Sequence, residues 1–192
     1  GMVPSAMIQR DFNLECVNLA TSGQARMDFY IAEAMASIED AICYVIDPVP
    51  NCTKDRCDTA TYDFINILRT LRPEVPIVMV EGLMYPYTRH DSYHAEYLPQ
   101  KNECFRRGFD QHVAENPKGM YYMTHEGQTG PDMEGTVDGV HLTDYGFRAY
   151  ADLLEIVVKE ALDDTDVDYD VEPAYNVVRK KTFWERLKDL FQ

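Results

Sequence analysis

Apolar residues follow two rhythms along this chain. Short, nearly unbroken apolar runs stand at 14–20 (LECVNLA), 41–47 (AICYVID), 76–81 (PIVMVE) and 120–123 (MYYM). Between them, apolar positions recur every three or four residues. Met27, Ile31, Met35 and Ile38 form one such series, and Phe64, Ile67, Leu68 and Leu71 a second. A third lies around 95–115, and Phe147, Tyr150, Ala151, Leu154, Val158 and Ala161 close the pattern. The unbroken runs predict strands buried on both faces, and the 3.6-residue rhythm predicts amphipathic helices. PVPN stops the run at 41–47. Pro73 ends the second helix, because the residue before a proline avoids helical geometry. Thr143 is a natural N-cap for a closing helix over 143–162, and Asp144 suits its positive end.

Strands alternating with helices predict an α/β fold, a parallel sheet covered on both faces. In such sheets functional sites gather at the carboxyl ends of strands. The loops that matter are therefore those after Ala20, Asp47 and Glu81, and the one containing His141.

Composition narrows the function classes. The chain has 192 residues, enough for one domain plus a tail, with 33 acidic against 18 basic residues and a net charge of -15. That balance argues against nucleic acid or an anionic membrane as partner. Part of the excess is local, since 163–172 (DDTDVDYDVE) holds six acids and no base. No apolar run reaches membrane-spanning length, and the first residues lack a signal-peptide pattern. Of the five cysteines, Cys16 and Cys43 read as buried thiols in strands and Cys104 falls in a helix. Cys52 and Cys57 lie near enough in sequence either to pair or to stay free.

Three stretches carry candidate chemistry. In DGVH, Asp138 precedes His141 by three residues, so its carboxylate can fold back onto Nδ1–H, fix the tautomer and leave Nε2 as a base. The same residues also make an ordinary capping turn. In TSG, Gly23 follows the first run and can turn a backbone N–H into a cleft. In DPVPN, Asn51 offers a neutral donor at a strand's end, suited to an oxyanion or to stabilising a turn. Beyond 76–81, Tyr85, Tyr87 and His90 suit a substrate cleft. His90 and His94, four apart, would suit zinc if they shared a helix. Cys52, beside Asn51, has no evident basic neighbour to make it a thiolate.

The order of these blocks resembles that of the SGNH (GDSL-like) hydrolases, most closely their carbohydrate-esterase-like branch. The resemblance runs over residues 3–162, and VDGVHLTDYGF is its strongest part. It implies a flavodoxin-like three-layer α/β/α sandwich. It further implies His141 as base, Asp138 as its orienting acid, and Gly23 and Asn51 as oxyanion donors, with no cofactor or metal. The substrate would be a small acyl ester, acetyl on carbohydrate. The family's nucleophile sits in a Gly-Asp-Ser or Gly-Thr-Ser turn after a first central strand, and nothing in residues 1–12 matches that block. Ser5 falls in what resembles the family's first helix, and Ser22 belongs to the second block. The resemblance thus implies a chain whose first strand is absent and which is inactive as it stands. A binding module that keeps the cleft is the alternative, and a metal-dependent hydrolase using His90 and His94 a third. With the central strand gone, 14–20 and 41–47 are expected to pair directly. A segment around 167–178, or strand exchange in a homodimer, is the other way to fill the gap. As given, the chain reads as cytoplasmic, or as periplasmic or secreted if its N-terminus is truncated. Residues 163–192 read as an acidic linker and an amphipathic helix carrying Phe183, Trp184, Leu187, Leu190 and Phe191, which would dock on the body or on a second chain.

Overall fold

Residues 2–165 are described by the computed structural model. The expected linker and C-terminal helix therefore lie almost wholly outside the described residues, as does the segment 167–178. Three strands form an open parallel sheet: β1 (Tyr44–Ile46), β2 (Ile77–Val80) and β3 (Met120–Met123), side by side in that order. Tyr44 lies opposite Ile77, and Ile77 opposite Met120. Five α-helices surround it: α1 (Pro4–Phe12), α2 (Phe29–Ala36), α3 (Lys54–Leu71), α4 (Ser92–Glu115) and α5 (Asp144–Asp163).

β2 shows why the strands read as unbroken apolar runs. Ile77 and Met79 face a core shared with Ala32, Phe64, Leu68 and Phe105, from α2, α3 and α4. Val78 and Val80 face a second core built from Phe12 of α1 and Tyr150, Leu154 and Val158 of α5. All four β2 residues are buried, so alternation has no polar face to display. The result is the expected three-layer α/β/α arrangement. None of the helices is long and apolar enough to cross a membrane among the described residues.

The helix caps follow the sequence. Thr53 accepts from Arg56 N–H at 3.1 Å to start α3, and Thr143 accepts from Gly146 N–H at 3.2 Å to start α5. Residues 4–12 form a helix, with Ser5 in its first turn.

The expected strand at 14–20 does not form. After Asn13 turns the chain in the left-handed region (φ 51°), residues 14–27 run without regular structure, and Val17 and Leu19 are exposed. Nor do 14–20 and 41–47 pair: among the described residues β1 has β2 as its sole neighbour in the sheet. Extended backbone gains strand character only through a ladder, and this segment has none. Leu14 packs on the second core with Ile42 and Cys43, and the Asn18 side-chain amide donates to Ser5 Oγ at 3.3 Å. Cys16 accordingly lies in irregular chain, half-buried. All five cysteines are free thiols, with Cys52, Cys57 and Cys104 buried.

Arg69, near the end of α3, is the buried charge that ties the amino ends of the strands together. Its Nη1 donates to the carbonyls of Pro73 (2.8 Å) and Val75 (3.1 Å), and Nη2 to that of Gly119 (3.0 Å). Only 6% of the residue is exposed. Arg69→Met keeps the bulk and orphans these carbonyls. It is expected to lower stability by about 2–4 kcal/mol, held down because Nε already lacks a partner. A fall in the urea midpoint at constant slope measures this; an unchanged midpoint would mean that water replaces the guanidinium.

Candidate active site

The turn Asp138–His141 is a small hairpin closed by a bridge between Thr136 and Leu142. Val137 N–H donates to His141 O at 2.8 Å, and Gly139 makes the reversal at φ 88°. Inside it, Asp138 uses both oxygens. Oδ1 accepts from the backbone N–H groups of Val140 (2.9 Å) and His141 (2.7 Å), and Oδ2 lies 2.7 Å from His141 Nδ1. Bonds from the His141 backbone, the His141 ring and the Val140 backbone hold the Asp138 carboxyl well below the usual carboxylate range. A carboxylate that stays ionised beside Nδ1 keeps the proton there and turns Nε2 outward as an acceptor. Nε2 has no hydrogen-bond partner among the described residues, and the ring is 78% exposed.

The hairpin is nailed to the start of α5. Thr143 N–H donates to Gly135 O at 2.9 Å, and Gly135 N–H to Thr129 O at 2.9 Å. Gly135 and Gly146 touch backbone to backbone, which no side chain at either position would permit. The glycines of EGTVDGVHLTDYG thus have separate uses: Gly139 turns the chain, and Gly135 and Gly146 let the loop lie on the helix.

The other sequence-derived residues occupy the neighbouring loops. Asn51 ends a short 3-10 turn (Val49–Asn51) after β1, is half-buried, and its side chain makes no hydrogen bond among the described residues. Gly23 lies in the exposed turn after residue 20 at φ 69°. Its loop is tied to the turn of Asn51 through Arg26 Nε on Gly23 O (3.2 Å), Arg56 Nε on Arg26 O (2.8 Å), and Cys52 Sγ near Ala25 O (3.9 Å). No bond or packing contact joins Gly23 directly to His141.

Tyr85 and Tyr87 stand between the two halves. Tyr87 packs under Gly139, whose added Cβ would meet its ring at 3.6 Å. The rings of Tyr87 and Tyr85 stack at 5.6 Å. Buried Tyr85 in turn lines a small cavity with Val49 and Pro50, next to Asn51. His90 is exposed at the end of the following 3-10 turn (Pro86–Arg89), its N–H on Tyr87 O at 2.9 Å.

His90 and His94 do not share a helix. Asp91 caps α4, which leaves His90 outside it, and His94 Nδ1 is bound to Asp91 at 2.6 Å. The zinc reading of this pair therefore loses its geometry. Cys52 also differs from expectation, for it has basic neighbours. A hydrogen bond from Cys57, then Lys101, Arg56 and Arg26, pull its thiol below the ordinary value, against burial. With only 5% of it exposed, it has little access to a substrate.

Two contacts escaped the sequence reading. Glu81, at the carboxyl end of β2, lies 2.7 Å from His125 Nδ1, just past β3. Asp47, at the end of β1, accepts from Tyr150 of α5 at 2.7 Å. Position at strand ends was the available signal for both acids; nothing local marked their partners.

The profile of the GDSL-like lipase/acylhydrolase family matches residues 1–159. A crystal structure from Bacteroides ovatus ATCC 8483, described as a GDSL-like lipase, superposes with a TM-score of 0.80 at 28% identity, over 85% of this chain and 48% of that one. The salicylyl-acyltransferase SsfX3 from a tetracycline biosynthetic pathway superposes with a TM-score of 0.65 at 15% identity, over 82% of this chain and 48% of its own, a likeness of fold alone. The chain thus spans about half the length of both. No curated protein matches it.

Proposed function

The chain belongs to the GDSL-like lipase/acylhydrolase family, and from that premise we propose that it carries the base and oxyanion side of an acyl-ester hydrolase site. The observation that carries the reading is the Asp138–His141 pair, with Nδ1 held and Nε2 free. In the reaction, Nε2 takes the proton of a serine hydroxyl as its oxygen attacks the ester carbonyl. Asp138 stabilises the imidazolium so formed, and the imidazolium then protonates the leaving alcohol. Water, activated by the same nitrogen, releases the acid from the acyl-serine. Asn51 and the Gly23 N–H are the donors for the tetrahedral oxyanion. Tyr85, Tyr87 and His90 line the alcohol side, and flat aromatic faces of that kind suit the acetyl esters of carbohydrates.

The serines of this chain are Ser5, Ser22, Ser37 and Ser92. Ser5 Oγ accepts from Asn18, Ser37 Oγ donates to Ala34 O, and no hydrogen bond joins any of the four to His141. That favours a second reading, in which these 192 residues bind an ester without turning it over. A triad site lacking its nucleophile keeps only the residual rate of its oxyanion hole and binding. The 192-residue protein is therefore expected to hydrolyse p-nitrophenyl acetate at no more than a small excess over buffer, and to escape labelling by a fluorophosphonate. NMR titration with an acetylated xylo-oligosaccharide should shift His141, Tyr87 and Asn51. Serine labelling would overturn the inactive reading. Absence of shifts at all three residues would overturn the site.

A further inference from the structure

We propose that Cys52 and Cys57, at the start of α3, form a dithiol that a hydroperoxide oxidises to a disulfide, with Cys52 as the sulfur that reacts first. Thr53 is the N-cap of α3, so Cys52 and Cys57 hold the two positions whose side chains pack across the first turn of a helix. Both backbones are fixed there. Cys52 N–H donates to Val49 O at 3.2 Å, and Cys57 N–H to Thr53 O at 3.0 Å. Both side chains are buried in the core that holds Ala60 and Phe64. The Cys57 thiol is hydrogen-bonded to the Cys52 sulfur, so a bond between them asks for side-chain rotation and leaves the helix in place.

Simple packing would account for two buried thiols, but it does not account for Lys101. This lysine of α4 is 5% exposed, and among the described residues its Nζ has one hydrogen bond, to Pro50 O at a long 3.5 Å. No carboxylate among those residues pairs with it; the acidic groups its charge meets are the thiols of Cys57 and Cys52. A buried cation without an acid is costly, and a thiolate beside it offsets that cost. Arg56 and Arg26 add to the same field. The bond from Cys57 and these cations pull the Cys52 thiol below its ordinary value, while that bond and burial push Cys57 up. The pair is therefore unequal, with one sulfur readied as a nucleophile and the other keeping its proton. Cys104, the third buried thiol, receives Arg107 Nη2 at 3.1 Å. Over Cys52 lies Ala25, its carbonyl 3.9 Å from Sγ, in the stretch 14–27 that has no regular structure. Local opening of such a stretch costs little, and a peroxide is small enough to enter.

The Cys52 thiolate attacks one oxygen of hydrogen peroxide. The O–O bond breaks, Cys52 becomes a sulfenic acid, and the leaving hydroxide takes up a proton as water. The Cys57 sulfur then attacks that of Cys52, and the sulfenic hydroxyl departs with the Cys57 proton as a second water. Two thiols are oxidised to one disulfide and the peroxide is reduced; an external dithiol reverses the change. The bridge would tie the turn that ends at Asn51 to α3. Its consequence for ester binding rests on the reading of Asn51 as an oxyanion donor, whereas the thiol chemistry stands apart from that reading.

Peptide mapping of the reduced 192-residue protein after exposure to hydrogen peroxide, with the remaining thiols blocked by iodoacetamide, tests the site. The expected product is a cross-link between Cys52 and Cys57 that dithiothreitol removes. In Cys57→Ser, Cys52 should stop at the sulfenic acid and be captured by dimedone. Cys43→Ser should cross-link like the parent. In Lys101→Met, oxidation of Cys52 is expected to slow by about tenfold or more, because the thiolate loses its buried cation. Circular dichroism establishes that each variant is folded. None of these readouts depends on an ester. A cross-link from Cys57 to Cys104, dimedone capture at Cys16 or Cys43 ahead of Cys52, no cross-link in the parent, or an unchanged rate in folded Lys101→Met would each overturn the proposal.

Discussion

Gly146→Ala is expected to cost about 3 kcal/mol of stability and to dislodge the His141 turn. A Cβ at this position would stand 2.0 Å from Gly135 O and 2.8 Å from Gly135 C, both backbone atoms. No rotamer change relieves such a collision; the main chain must move, and overpacking of this kind falls at the upper end of the usual range. The shift would propagate at once. Gly135 O is the acceptor for Thr143 N–H, and Thr143 Oγ1 caps the helix through Gly146 N–H. Urea denaturation reads the stability, and the NMR signals of the His141 ring read the displacement. Gly23→Ala is the instructive contrast. Nothing lies within 4 Å of the added methyl there, so the cost is confined to the left-handed backbone, about 1 kcal/mol. Equal losses in the two variants would show that the contact between Gly135 and Gly146 is not what holds the hairpin.

Phe105→Ala is expected to cost about 3–5 kcal/mol, the range for emptying a buried aromatic site. Phe105 is fully buried in α4, with its ring centroid 6.2 Å from that of Tyr122 on β3. It packs in the same core as Phe64 and Leu68 of α3 and Ile77 and Met79 of β2. A domain of this size has about 5–15 kcal/mol to lose. The variant should therefore show a large fall in urea midpoint and a population of unfolded chain at rest. Tyr30→Ala, at a side chain exposed on α2, should stay within about 0.5 kcal/mol of the parent. A Phe105→Ala loss below about 1 kcal/mol would mean that the core relaxes into the space.

What the sequence disclosed depended on how locally each feature is determined. β3 was legible to the residue, since MYYM is bounded by its own turn and packed on both sides. Asp138 and His141 were legible because three residues and one glycine make the whole arrangement. The run at 14–20 misled because hydrophobicity records a wish for burial and says nothing of a neighbouring strand. Glu81 and His125 were hidden for the opposite reason. They lie 44 residues apart and meet only through the register of β2 against β3. Asp91 at the head of α4 shows a third case. Asp91, the second residue of HDSYH, is the cap, and it leaves His90 outside the helix and engages the ring of His94. Zinc would have needed a helix already begun at His90, and α4 starts two residues later, at Ser92.

The strand order of the sheet has a kinetic consequence. β1, β2 and β3 lie side by side in the order in which the chain presents them. Each is joined to the next by a single helical crossover, α3 and then α4. Pairing Tyr44 with Ile77 closes a span of 33 residues, and pairing Ile77 with Met120 one of 43. The entropic cost of closing a loop grows only with the logarithm of its length, so the two closures cost nearly the same. Neither must wait for a strand from farther along the chain. The sheet can therefore be laid down in the direction of synthesis, β1 on β2 as soon as α3 has emerged and β3 after α4. The hairpin that presents His141, held by α5 at the end, is among the last parts to find its place.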